Sequence, residues 1–155
     1  MNILITGGNG FIAGRLSNYL AKKFNVTLCS SSLSSEPSWL SNCSFTKINW
    51  DEDESISKAC KNKDLIIHAA GLNAQECFLN PQRAFIFNSE VTNKLLNIAI
   101  KCNVSKFFFI STAHVYSSPL SGVIDEDSIA TNTHPYASSN LLAEKYLFEK
   151  INKKE

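Results

Sequence analysis

The sequence predicts an α/β domain in three layers, a parallel sheet of about five strands with helices on both faces. Three observations predict it. Short apolar runs recur that are continuous rather than alternating, as in strands buried on both faces. Segments with helical spacing separate them, so the chain reads as successive βαβ units. The first run ends in a cluster of glycines that opens directly into a helix.

Each element follows from its residues. Asn2 to Thr6 (NILIT) is the first strand. Residues 10–23 carry Phe11, Ile12, Leu16, Tyr19 and Leu20 at helical spacing. Val26 to Cys29 reads as a second strand, and the serine-rich residues 30–43 as a loop. Phe45 to Ile48 is a third strand, Asp53 to Lys61 a short helix and Asp64 to His68 (DLIIH) a fourth strand. Pro81 opens a helical region that runs through Asn88 to Cys102, with Leu95, Leu96 and Ala99 on its buried face. Lys106 to Ser111 (KFFFIS) is the fifth strand; its three phenylalanines suit burial on both faces. Residues 114–134 read as a long loop, and Pro135 starts a last helix with Leu141, Leu142, Ala143, Tyr146 and Leu147 as its apolar positions. No internal repeat or interdomain linker stands out, so residues 1–155 read as one domain.

Composition narrows the function. The 155 residues carry 15 basic and 14 acidic side chains, a net charge of +1, which gives no electrostatic reason to expect nucleic acid or an acidic membrane as partner. Five cysteines, an odd number without a C-x-x-C pair, read as buried or half-buried thiols of a reducing cytoplasm, not as metal ligands or disulfides. No metal site is expected. No basic n-region opens the chain and no apolar run approaches the length that spans a bilayer, which favours a cytoplasmic location.

The chemistry starts at Thr6-Gly7-Gly8-Asn9-Gly10-Phe11-Ile12-Ala13-Gly14. Glycine between a strand and a helix permits a tight turn and lets backbone N–H groups reach a pyrophosphate. The helix dipole favours the same anion. The context is that of a Rossmann-type nucleotide site, and the bland alternative is a tight structural turn.

This stretch resembles the opening T-G-x-x-G-F-I-G of the extended short-chain dehydrogenase/reductase family, the nucleotide-sugar epimerases, dehydratases and reductases. It departs from the pattern at Ala13, where the third glycine usually stands. The resemblance runs the length of the chain and implies NAD or NADP as cofactor, with Gly7, Gly10, Phe11, Ile12 and Ser30 among the residues that bind it. Asp51 resembles the acidic residue placed near the adenine, and reads alternatively as a helix cap or a solvated carboxylate. Asp64-Leu-Ile-Ile-His-Ala-Ala-Gly71 is similar to D-x-V-I-H-x-A-A/G, which implies that the backbone of Ala69, Ala70 and Gly71 lies along the cofactor. Asn88 matches the family's structural asparagine near the cofactor, with a helix cap as the alternative.

Ser111-Thr112-Ala-His-Val-Tyr116 looks like S-S/T-x-x-V-Y-G, which makes Thr112 the catalytic hydroxyl by resemblance, or a threonine that satisfies a strand end. Pro135-Tyr136-Ala-Ser-Ser-Asn140 stands in the place of P-Y-x-x-S-K. Tyr136 would handle the substrate's hydroxyl proton and would also touch the cofactor. Glu126 matches an acidic residue that often precedes this motif. Asn140 replaces the lysine that lowers the tyrosine's pKa; moving a phenol from about 10 toward 7 takes about 4 kcal/mol of differential stabilisation. His114 and His134 are the nearby groups that could substitute, and His114 reads otherwise as a loop histidine near solvent.

The implied function is hydride transfer at a sugar carbon of a nucleotide-linked substrate. The alternative is a non-catalytic dinucleotide-binding or scaffolding module, which Asn140 favours. The resemblance also implies further strands and a substrate lobe beyond Glu155, so the domain reads as truncated and incomplete. Its fifth strand would then be an apolar edge, completed by a second copy or by a partner protein.

Overall fold

The structure is a computed structural model that describes residues 1–32, 36–117 and 119–152. Its elements are β1 (Asn2–Thr6), α1 (Phe11–Leu20), β2 (Asn25–Ser30), β3 (Ser44–Lys47), α2 (Asp53–Cys60), β4 (Leu65–His68), α3 (Ala74–Leu79), α4 (Pro81–Ala84), a π-helical segment (Phe85–Glu90), α5 (Val91–Lys101), β5 (Lys106–Phe109), a 3₁₀ turn (Ala113–Val115) and α6 (Pro135–Asn152). The chain divides into two compact units. The first holds Met1–Ala70 and Lys94–Ile110, and the second Gly71–Asn93 and Ser111–Glu155.

The first unit is built on one parallel sheet in the order β3-β2-β1-β4-β5. The central strands are continuous apolar runs because both faces are covered. Ile3, Ile5, Val26, Leu28, Leu65 and Ile67 pack with Ala13 of α1 and with Leu40. The alternate positions Leu4, Cys29 and Ile66 project to the other face and are as fully buried, as are Ile56 and Cys60 of α2 and Leu95 of α5. Asn62 and Asn103 follow α2 and α5 at φ +59° and +58°. Asparagine tolerates this left-handed conformation and ends a helix there as glycine would.

β5 lies at the sheet edge, where the sequence analysis expects it; Phe107 and Phe109 are half-buried, and Phe108 is 55% exposed. Two other elements differ from the sequence expectation. The region from Pro81 to Lys101 is helical throughout, but Phe85–Glu90 is wound as a π-helix. Helix α3 lies in a stretch with no predicted element. Its signal was local: the Asn73 side chain accepts from the Glu76 N–H while the Glu76 carboxylate accepts from the Asn73 N–H, a capping box.

The second unit gathers α3, α4, the π-helical segment and α6. Its buried core holds Leu72, Cys77 and Ala84, with Phe87 and Tyr136 packed against them.

Candidate functional site

In the first unit the glycine turn sits at the carboxyl end of β1, in the middle of the sheet, where open parallel sheets bind their ligands. Gly7 stands at φ +85°, and a Cβ there would lie 2.7 Å from the Ala69 carbonyl oxygen. No other residue type fits both the conformation and the space. The neighbouring backbone is fixed by one side chain. The Thr6 hydroxyl accepts from the N–H groups of Ala69 and Ala70, at 3.1 Å each, and donates to His68 Nδ1 at 2.7 Å. His68 is fully buried, and burial pushes its pKa down to about 3. Its ring is therefore neutral, so Nδ1 is available as an acceptor.

Past the turn, Gly10 N–H donates to the Gly7 carbonyl at 2.7 Å and Gly10 caps α1 without a side-chain bond. The first-turn N–H groups of α1, which have no intrahelical partners, are thus left to an anion. Phe11 and Ile12 stand on this turn as exposed side chains, while Ala13, in place of the third glycine, is buried against the sheet. A glycine one residue on has a different use: the indole of Trp39 lies where a Gly14 Cβ would stand, at 2.9 Å. Trp39, Arg15, Phe11, Gly10 and Asn18 line a cleft of about 340 Å³ there.

Ser30 ends β2, buried, with its hydroxyl accepting from the Ser32 N–H. Asp51 is exposed. Its carbonyl accepts from Lys94 Nζ at 3.1 Å, and the same ammonium pairs with Asp53 at 2.8 Å, holding that carboxyl below its ordinary pKa by hydrogen bond and charge. The residues of this unit fit a dinucleotide at its pyrophosphate: a turn with glycine at positions 7, 8 and 10, closed on small backbone neighbours, and a helix N-terminus with unused donors.

The second unit holds the remaining residues that the sequence singles out. Gly71 is exposed and opens toward Asn88, whose Oδ1 lies 3.4 Å from where a Gly71 Cβ would stand. Asn88 itself is buried. Its Oδ1 accepts from the Leu72 N–H at 2.7 Å, and its Nδ2 faces the Leu72 carbonyl, Cys77 Sγ and Ser139 Oγ. The amide is spent on holding this unit together. Asn140 is spent as well: it is 6% exposed and its Nδ2 donates to the Tyr136 carbonyl at 2.8 Å.

Tyr136, His114, His134, Asn132, Ala74 and Ala137 line a cavity of about 310 Å³. The Thr112 hydroxyl accepts from the His114 N–H at 3.2 Å and keeps its own proton to donate. Asn132 ties the two histidine segments together: its Nδ2 donates to the His114 carbonyl at 2.8 Å, and its Oδ1 accepts from the His134 N–H at 2.9 Å. His134 Nδ1 accepts from the Tyr136 N–H at 3.1 Å, and its ring stacks on Phe78. Sequence reasoning did not single out Asn132. Its signal was the pattern Asn132-Thr-His134-Pro135, an asparagine two residues before the group it caps.

A five-stranded parallel sheet in this order, with a glycine turn at the end of its first strand, defines a Rossmann-type dinucleotide-binding fold. The chain belongs to the NAD dependent epimerase/dehydratase family, whose sequence model matches residues 3–154. It is 31% identical to the dTDP-D-glucose 4,6-dehydratase of Mus musculus over 92% of its own length and 44% of the relative's. It is 29% identical to UDP-glucose 4-epimerase 3 of Oryza sativa subsp. japonica, over 94% of the chain and 43% of the relative. Among solved structures, the UDP-glucose 4-epimerase of Bifidobacterium longum in complex with NAD+ and UDP superposes with a TM-score of 0.85 at 29% identity, over 97% of this chain and 49% of that one. The chain thus spans less than half the length of these relatives. Among the described residues no helix is long and apolar enough to cross a membrane, and no three potential ligands gather as a metal site would require.

Proposed function

We propose that this chain is the NAD(P)-binding part of an enzyme of the epimerase, dehydratase or reductase type that transfers a hydride at a carbon of a nucleotide-linked sugar. The observation that carries the reading is the glycine turn closed on Ala69 and Ala70 by the Thr6 hydroxyl. In it Gly7, Gly10, Phe11 and Ile12 receive the pyrophosphate, and Ser30 and Asp51 serve the adenosine end. The backbone of Ala69, Ala70 and Gly71 gives the cofactor a close approach. The bound nicotinamide supplies hydride chemistry. Thr112 donates to the substrate oxygen and Tyr136 carries the hydroxyl proton. NAD is the form found with the B. longum relative; the end of β2 offers neither a carboxylate nor an arginine, so NADP belongs to the same proposal. We place the protein in the cytoplasm and read residues 1–155 as one domain, whose β5 edge is covered by a second copy or a partner.

The experiment is a fluorescence titration with NADH of the wild type and of Gly10→Val. The valine adds a branched side chain 3.1 Å from the Gly7 carbonyl, on the face that receives the anion. Binding should weaken at least ten-fold, about 1.4 kcal/mol, with circular dichroism unchanged. Equal affinities would sink the proposal. A second reading, a non-catalytic dinucleotide-binding module, is favoured by Asn140, whose amide is turned onto its own helix. NADH binding without turnover of UDP- or dTDP-linked sugars, in a chain that also carries its substrate lobe, would decide for it.

A further inference from the structure

The glycine turn sits at the carboxyl end of the sheet. The opposite end, where the strands begin, carries a cavity of about 500 Å³ that lies within the first unit. Asn2 at the start of β1, Asn25 and Thr27 on β2, Asn42 and Ser44 at the entry to β3, and Lys63 between α2 and β4 line it. β2 runs from Asn25 here to Ser30 at the other end, a span of about 17 Å, so the two places are separate. Lys63 is half-buried, and burial pushes its pKa down. Its Nζ donates to Thr27 Oγ1 at 2.6 Å, which uses one of three N–H groups. No carboxylate pairs with this ammonium among the described residues. The titratable groups that act on it are the thiols of Cys29 and Cys60, which burial keeps protonated. The Asp64 carboxylate is turned to the Asn2 N–H, and Glu36 acts on Cys43 rather than on Lys63.

A half-buried cation with no counter-charge is an anchor for an anion. The side chains around it complete a recognition surface. Asn25 Nδ2 donates to Asn2 Oδ1 at 3.1 Å, which leaves the Asn2 Nδ2 donors and the Asn25 Oδ1 acceptor for a ligand. Asn42 is held at φ +56°, and its amide has no protein partner among the described residues. The cavity therefore offers one positive charge, a surplus of N–H and O–H donors and no carboxylate. It presents no aromatic ring on which a base could stack. Its volume falls in the range of small-molecule sites, about 300–1,000 Å³. We propose that this cavity binds a phosphate ester of a small polyhydroxylated compound, with the phosphate on the Lys63 ammonium and the hydroxyl groups on the amides of Asn2, Asn25 and Asn42. Phosphate oxygens accept and do not donate, which matches the surplus of donors. Lysine meets them as a compact point charge. Hydroxyl groups both donate and accept, as a side-chain amide does. The bound anion also restores the charged form of Lys63 that burial opposes. The site stands apart from the dinucleotide turn, and the two are occupied independently.

The probe is glucose 6-phosphate, titrated calorimetrically into the full chain with and without saturating NADH. The wild type should bind it equally in both cases. Lys63→Gln, which keeps a polar chain beside Thr27 but removes the charge, should weaken binding about ten-fold or more, whereas Lys63→Arg should retain it. Asn42→Gly keeps the left-handed backbone and deletes the amide; it should weaken binding about three-fold with circular dichroism unchanged. Inorganic phosphate should bind more weakly than the ester, and glucose not at all. No binding by the wild type, equal affinity in Lys63→Gln and Asn42→Gly, or displacement by NADH overturns the proposal. Inorganic phosphate binding as tightly as the ester would reject the hydroxyl contacts and with them this class of ligand. NADH titration of the same samples tests the dinucleotide turn separately, so either site can fail while the other stands.

Discussion

One oxygen of Thr6 makes three hydrogen bonds, and each has a separate effect on the site. Two hold the Ala69 and Ala70 backbone at the distance that only glycine at position 7 allows. The third requires His68 to stay neutral. That requirement makes the fold sensitive to acid. The His68 pKa is depressed to about 3 by burial, so between that pH and the ordinary imidazole value of about 6.5 the unfolded chain binds a proton that the folded chain does not. The contribution is complete above about pH 6.5 and is lost progressively on the way down to about pH 3. Urea unfolding at pH 7 and pH 5 should differ by up to about 2 kcal/mol on this account. In His68→Asn, whose amide oxygen can still accept from Thr6, the difference should shrink; an equal pH dependence in both proteins would contradict it. At this scale the sequence was most legible where geometry restricts residue choice. Gly7 was readable because a positive φ and a 2.7 Å approach exclude every side chain. Asn140 was readable as a departure, but its partner was not: whether an asparagine on a helix turns outward or bonds back to the carbonyl four residues earlier depends on packing.

At the scale of elements, strands were legible because burial on both faces writes itself as an unbroken apolar run. Helical phase was harder. The apolar face at Leu95, Leu96 and Ala99 cannot be carried back to Pro81 on a 3.6-residue period, because the π-helical segment turns more slowly and shifts the register. That shift brings Asn88 inside, where its amide joins Leu72 on the chain leading to α3 with Ser139 on α6. Asn88→Ala would leave the Leu72 N–H without its acceptor in a buried place and open a small void. The cost should be about 2–4 kcal/mol, read from chemical denaturation. A change below about 0.5 kcal/mol would show that the strut is dispensable. β5 was legible as an edge from the count of strands, not from its residues: three phenylalanines look the same in sequence at the centre of a sheet and at its edge.

For the whole molecule, that edge has a consequence in solution. On its outer side β5 shows backbone groups with no strand beside them among the described residues, together with Phe108 at 55% and Ile110 at 39% exposure. An apolar, uncovered edge pairs with another chain unless charge or a bulge prevents it. Light scattering of the purified 155-residue chain should therefore give a mass above 17.2 kDa that rises with concentration. Phe108→Lys should return it to monomer. A monodisperse wild-type monomer at high concentration would show that the edge is closed by other means.

The cysteines turn this same compactness into a clock. All five are unpaired; Cys29, Cys60 and Cys77 are buried, and Cys43 and Cys102 are half-buried. Burial raises the Cys29 thiol well above its usual range and the Cys60 thiol to about 12, which removes the thiolate that alkylating reagents need. In the native protein at neutral pH, iodoacetamide should mark Cys102 first and Cys43, whose thiol burial also pushes up, more slowly, and leave the three buried thiols. Those three then take up label only when the molecule opens, so their slow modification, followed by mass spectrometry without any denaturant, counts how often each region of the resting protein comes apart.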